Sequence, residues 1–112
     1  MTIPVKKAVL KAEPGYFQER LLKGNYQALL KCWDDNADKV TLDYANATEI
    51  VIFQDLGMAE IRVGGGGGLY PAIIEVRKLG NNKTEIKGYS VPTYKQTIDI
   101  WMGNFETCSR SL

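Results

Sequence analysis

The chain has no histidine, and each further scarcity narrows what it can do. Without imidazole, a Ser-His or Cys-His nucleophile pair is impossible and histidine metal ligation is excluded. Cysteine occurs only twice, at Cys32 and Cys108, a spacing far from the Cys-x-x-Cys of redox catalysts. Long apolar runs are missing: the stretch Ile50 to Phe53 is far too short to cross a bilayer. Charge of one sign is missing as well, since 14 Lys plus Arg against 13 Asp plus Glu leaves a net +1. So small a balance provides no electrostatic footprint for nucleic acid. The opening Met-Thr-Ile-Pro-Val-Lys-Lys-Ala-Val-Leu-Lys is basic but lacks the apolar centre of a secretory signal, so no export sequence is expected in the chain as given.

What remains is the composition of one ordinary globular domain: 112 residues, 45% hydrophobic and 24% charged. A chain of this size buries roughly two thirds of its unfolded surface, enough for one core. We expect residues 1–24 to be a linker or short helix and 25–112 to form a single α+β domain. Pro14-Gly15 opens a segment in which Phe17, Leu21 and Leu22 keep helical spacing up to a stop at Gly24. Asn25 is then an N-cap for a helix with Tyr26, Leu29, Leu30, Trp33 and Ala37 on one stripe. One helix from Tyr16 to Asn36 is the alternative, at a cost of about 1 kcal/mol for Gly24.

The period then changes to two. Strands are expected at Val40 to Tyr44, Glu49 to Gln54, Met58 to Val63, Leu69 to Leu79 and Lys83 to Val91, with turns at Asp55-Leu56-Gly57, the glycine run and Gly80-Asn81-Asn82. Alternation puts Glu60, Arg62, Glu75, Arg77, Glu85 and Lys87 on one side, and Ala59, Ile61, Val63, Ile74, Val76 and Ile86 on the other. Such a sheet is antiparallel, wet on its charged face and covered by helices on the other. Thr93 and Gln96 form a capping box, so a last helix should begin at Tyr94 with Ile98, Trp101, Met102, Phe105 and Cys108 facing inward. The expected architecture is helix, antiparallel sheet of about five strands, helix, with both helices on one face.

Cys32 and Cys108 each fall in the last turn of an expected helix. Two separate buried thiols are one reading, and a disulfide is the one we favour, because the cysteines are few, even in number and symmetrically placed. A bridge between two helix C-termini requires the helices to run parallel. That favours five or three intervening strands over four, and it implies an oxidising compartment.

Asn25-Tyr26-Gln27-Ala28-Leu29-Leu30-Lys31-Cys32, the strands around a glycine-rich hairpin, Ile74-Glu75-Val76-Arg77, Lys83-Thr84-Glu85-Ile86 and a final helix ending at a cysteine resemble small bacterial cell-envelope lipoproteins of uncharacterised function. The resemblance covers residues 25–108 and rests on pattern, without a diagnostic motif. It implies a non-enzymatic domain at the periplasm or outer membrane that acts through an unknown protein partner. Membrane association would come only through a lipid anchor absent from this chain.

The remaining motifs mostly fail on their own chemistry. Gly64, Gly65, Gly66, Gly67 and Gly68 mimic a phosphate cradle but lack the Lys-Ser/Thr ending and lead into a strand. We read them as a hairpin loop, with a ligand or contact edge as its only functional reading. Asp34, Asn36 and Asp38 start a calcium-loop pattern that Lys39 and Ala45 break, so neither a metal nor a cofactor is expected. Asn46-Ala47-Thr48 and Asn82-Lys83-Thr84 are glycosylation sequons, meaningful only in a eukaryotic secretory chain. A carboxylate-only enzyme would need two acids converging in a cleft. The remaining alternative is a helix-grip module holding an apolar ligand in a cavity lined by Ile52, Ile74, Trp101 and Phe105.

Overall fold

The computed structural model describes residues 5–40, 48–64 and 68–112. Within them run β1 (Val5–Lys6), α1 (Lys7–Ala12), β2 (Tyr16–Lys23), α2 (Tyr26–Val40), β3 (Thr48–Phe53), β4 (Met58–Val63), β5 (Leu69–Tyr70), β6 (Ala72–Gly80), β7 (Lys83–Ser90) and α3 (Lys95–Ser111). Five strands form one antiparallel sheet in the order β2-β7-β6-β4-β3, and β1 pairs with β5 in a separate two-stranded ladder. The α+β class and the five-stranded antiparallel sheet are as expected.

The membership of that sheet is not. Tyr16–Lys23, read from sequence as helical and as part of a leading segment, is an edge strand paired with β7 along its whole length. Its inward face mixes Tyr16 and Leu22, packed on the core, with the polar Gln18 and Arg20, and its outward face mixes Phe17 and Leu21 with Glu19 and Lys23, so neither face gives the usual apolar signal. Tyr16 donates to Asp99 at 2.5 Å, Arg20 donates to Glu106 at 2.6 Å, and Ser109 donates to the Lys23 carbonyl at 2.5 Å, all across to α3. Phe17 and Leu21 are left exposed, with Phe17 against the Tyr89 ring at 5.2 Å. Because Leu22 faces inward while Phe17 and Leu21 face outward, the apolar residues fall on both faces and their 17/21/22 spacing imitates a helix. The expected strand at 40–44 lies outside the described residues, apart from Val40, which ends α2.

Gly24, at φ 129°, separates β2 from α2 and excludes one continuous helix. Asn25 caps α2 as expected, its Oδ1 accepting from the Gln27 and Ala28 amides at 2.9 and 3.3 Å. The Thr93 capping box does not form. A 3-10 turn over Pro92–Tyr94 leads into α3, whose N-cap is Tyr94 with no side-chain cap bond. Proline at the first position supplies the helical φ instead.

Helices α2 and α3 cover one face of the sheet. Tyr26, Leu29, Leu30 and Trp33 from α2 meet Ile98, Trp101, Met102, Phe105 and Cys108 from α3 over Ile61, Ile74, Val76 and Ile86. Trp33 lies edge-on to Trp101 at 5.3 Å and stacked on Phe105 at 5.7 Å. The close approach of α3 depends on Gly88, where a Cβ would lie 2.9 Å from Ile98 Cγ2. On the opposite face, α1 places Leu10 in a second apolar cluster with Ile73, Tyr89 and Val91. A third layer therefore covers part of the face expected to be wet.

Gly88→Ala should destabilise the fold by about 1–3 kcal/mol through overpacking, and Ile98→Leu in the same chain, which removes the Cγ2 methyl, should recover part of the loss. Urea unfolding of the two variants beside wild type measures both effects.

Candidate functional site

Antiparallel register places Glu60 of β4 directly opposite Glu75 of β6. Like charges in directly opposed positions repel, and these two are also buried, Glu60 2% and Glu75 7% exposed. The expectation of a solvated ladder is corrected here: this end of the charged face lies beneath α1. Farther along the same face Arg77 remains half exposed, so the wet reading holds only there.

Cations from two directions resolve the repulsion. Lys11 Nζ donates to Glu60 Oε2 at 2.6 Å and to Glu75 Oε2 at 2.8 Å, so one ammonium bridges both carboxylates. Lys7, one helical turn earlier, donates to Glu60 Oε1 at 3.2 Å. Arg62 donates to that same oxygen through Nε at 3.0 Å and Nη2 at 2.7 Å, and its guanidinium lies 5.8 Å from the centre of the Tyr70 ring. Between the two lysines in sequence, Leu10 is buried against Ile73, Tyr89 and Val91.

Burial pushes the Glu60 carboxyl upward, but hydrogen bonds from Lys11 and Arg62 outweigh it and hold the group down at about 2. Burial lowers the Lys11 ammonium, and hydrogen bonds to Glu60 and Glu75 more than reverse that, leaving it raised. Tyr89 is raised by burial and then by the nearby Glu75 charge. Two acids do converge, as a carboxylate enzyme would need, but they converge on a lysine under a helix. A carboxylate held charged to so low a pH is a poor general acid or base near neutrality.

Lys7 and Lys11 were missed because a basic N-terminal stretch was weighed only as a leader. The legible signal was their i, i+4 spacing around Leu10 together with the opposed Glu60 and Glu75.

The disulfide expectation fares differently. Cys32 and Cys108 are joined, with an S–S distance of 2.03 Å and Cα atoms 5.9 Å apart. Among the described residues, four strands of the large sheet and the short β5 lie between the helices, and the expected strand at 40–44 lies outside them. The helices run antiparallel: Leu29 and Leu112 meet beside Gly24, Cys32 meets Cys108, and Trp33 meets Asn104 and Trp101. The parity argument failed because α2 continues to Val40, which puts Cys32 in mid-helix opposite the end of α3.

Of the glycine run, Gly64 follows β4 and Gly68 precedes β5, both at φ 75°, while Gly65, Gly66 and Gly67 lie outside the described residues. Asp34 and Asn36 belong to α2, where Asn36 donates to the Cys32 carbonyl at 2.9 Å, as a helical side chain and not as part of a cation loop. Among the described residues no group of three acidic or sulfur side chains is arranged to hold a metal ion, and no helix is long and apolar enough to cross a membrane. Ile74, Trp101 and Phe105 are fully buried in one packed cluster, whereas Ile52 is 56% exposed on β3. The four residues therefore do not line a common space. No protein-family model matches the chain, and no curated protein matches it.

The depressed Glu60 group contributes stability that is present above its unfolded value near 4.5 and is lost as pH falls through about 2. Glu60→Gln should therefore be less stable than wild type at pH 6, with the gap closing between pH 4.5 and 2. Denaturant midpoints across that range check the sign.

The bridge spans a sequence separation of 76 residues, for which chain entropy gives about 4 kcal/mol. Replacing both cysteines by serine should lose that amount by urea unfolding while the far-ultraviolet dichroism of the folded state is kept.

Proposed function

We propose that this chain is a non-enzymatic domain of an oxidising cell-envelope compartment, of the lipoprotein type, that works through protein contacts. The observation that carries the reading is the bridge from Cys32 to Cys108, which ties the two covering helices together across the core. Bridges of this kind persist where thiols are not kept reduced. For a domain of 112 residues the stabilisation is a large share of the total.

The charged groups support the non-catalytic half of the reading. Glu60 and Glu75 are committed to Lys7, Lys11 and Arg62, and Asp99 and Glu106 to Tyr16 and Arg20, so the acids nearest one another hold secondary elements together. A helix-grip function would need an interior space, and the tryptophan and phenylalanine rings that would line it are packed on one another. A contact domain needs only a stable surface.

Expression of the native gene with its own upstream sequence and a C-terminal tag, followed by cell fractionation in the absence of reductant, tests the proposal. The tagged protein should fractionate with the envelope, and its cysteines should be alkylated only after reduction. A cytosolic protein with two freely alkylated thiols would overturn the reading.

A further inference from the structure

The described N-terminal arm, residues 5–12, is held as a bound peptide would be held. Its strand contributes two ladder residues, Val5 opposite Tyr70 and Lys6 opposite Leu69. Its helix has six residues, no side-chain cap bond at its N-terminus and no acidic residue in its first turn. A helix so short does not form alone in water, so α1 exists by virtue of docking. What docks is a three-point pattern: Lys7 and Lys11 one turn apart, each on Glu60, with Leu10 in the cluster of Ile73, Tyr89 and Val91. Glu13, Pro14 and Gly15 separate it from β2, outside any helix or strand.

We infer that the acidic slot formed by Glu60, Glu75 and the Ile73–Tyr89–Val91 cluster is a docking site for a short lysine-bearing helix of a partner protein, held closed in the free chain by residues 5–12. The inference rests on the contact-domain reading and supplies its surface. Charge complementarity selects the occupant. With the arm away, Glu60 keeps Arg62 and Glu75 keeps Arg77 at 3.7 Å, but the ammonium that bridges the two opposed carboxylates is gone. Two carboxylates directly opposed on adjacent strands repel one another once their bridging cation is gone. The open slot therefore accepts a cation at that position in preference to an apolar side chain, and the cluster beside it accepts a leucine-sized group. An anionic segment is rejected at the same place.

The release is local. The arm is linked to the rest of the protein by two ladder pairs, one buried leucine and ion pairs, while α2, α3 and the five-stranded sheet share a separate core and the disulfide. Segments with few buried contacts open at a small fraction of the global stability. A partner helix in trans competes with an arm in cis at high effective concentration, so the closed form suppresses weak partners.

The probe is an acetylated, amidated peptide of the arm's own sequence, residues 5–12, fluorescently labelled. Full-length chain carrying Lys7→Ala and Lys11→Ala should bind it saturably, at least tenfold more tightly than wild type binds it, with affinity falling as salt rises. Adding Glu60→Gln and Glu75→Gln to that chain should abolish binding, as should replacing the lysines at positions 7 and 11 of the peptide by glutamine. As a measurement independent of the variants' folding, excess peptide added to isotope-labelled wild type should shift the amides of Glu60, Glu75 and Tyr89 and turn those of residues 7–12 into unstructured signals. Equal binding of the lysine and glutamine peptides, or no shift at those amides, would overturn the inference and leave the compartment reading untouched. A wild-type dimer that the Lys7→Ala, Lys11→Ala chain cannot form would overturn it too, by making a second copy of this chain the occupant.

Discussion

The contact between α2 and α3 is the interaction on which the rest of the molecule depends. Trp33 is caught between Trp101 and Phe105, and beside it the bridge from Cys32 to Cys108 holds the helices at that separation. Every strand that buries an apolar side chain on the helix face does so against this pair: Ile61 on β4, Ile74 and Val76 on β6, Ile86 on β7. Without the pair, the sheet would have one face of exposed isoleucine and valine and the other of charge. The antiparallel run of the helices also sets which ends meet, bringing Leu112 beside Leu29 and Gly24, so the C-terminus is packed against the start of α2.

The second face obeys a different logic. Directly opposed glutamates in the middle of a sheet are unfavourable in isolation, and their presence means that something cationic was always part of the arrangement. In this molecule that part is eight residues of the chain's own N-terminus. Glu60 is held far below its usual range by lysine and arginine donors, and Lys11 is raised by the same carboxylates, so the two groups stabilise one another's charged forms.

What could be read from the residues follows from how closely local pattern and tertiary role agree. Strands β4 and β7 alternate cleanly between Ala59-Ile61-Val63 or Ile86 and charged neighbours, and their bounds were legible to within a residue. Asn25 and Gly24 announced the start of α2, because both act through their own backbone geometry. The N-terminal strand was illegible for a physical reason: its inner polar residues Gln18 and Arg20 and the Tyr16 hydroxyl answer Asp99 and Glu106, partners more than seventy positions away, and its apolar residues Phe17, Leu21 and Leu22 are split between the two faces, so no local apolar alternation exists to be seen. The same holds for the charged cluster. Glu60 and Glu75 could be placed on one face, but that Lys7 and Lys11 would come down on them depends on where a short arm lands, which no periodicity records. The pairing of the cysteines was legible from their number and placement, but the parallel helices argued from it were not found, since the length of α2 decided which part of it met α3.

The strand order has a consequence for how the chain is put together in time. Neighbours β3, β4, β6 and β7 follow one another along the polypeptide, and each can pair with the last as it emerges from a ribosome or a translocation pore. Strand β2, made before any of them, pairs among the described residues with β7 alone, near the far end. It must wait through synthesis of most of the protein, with Phe17 and Leu21 uncovered and its ladder unformed, until β7 and then α3 arrive with Tyr89, Asp99 and Glu106. Nascent chains interrupted before that point carry an orphan strand, and such chains are the natural substrates of a holdase chaperone.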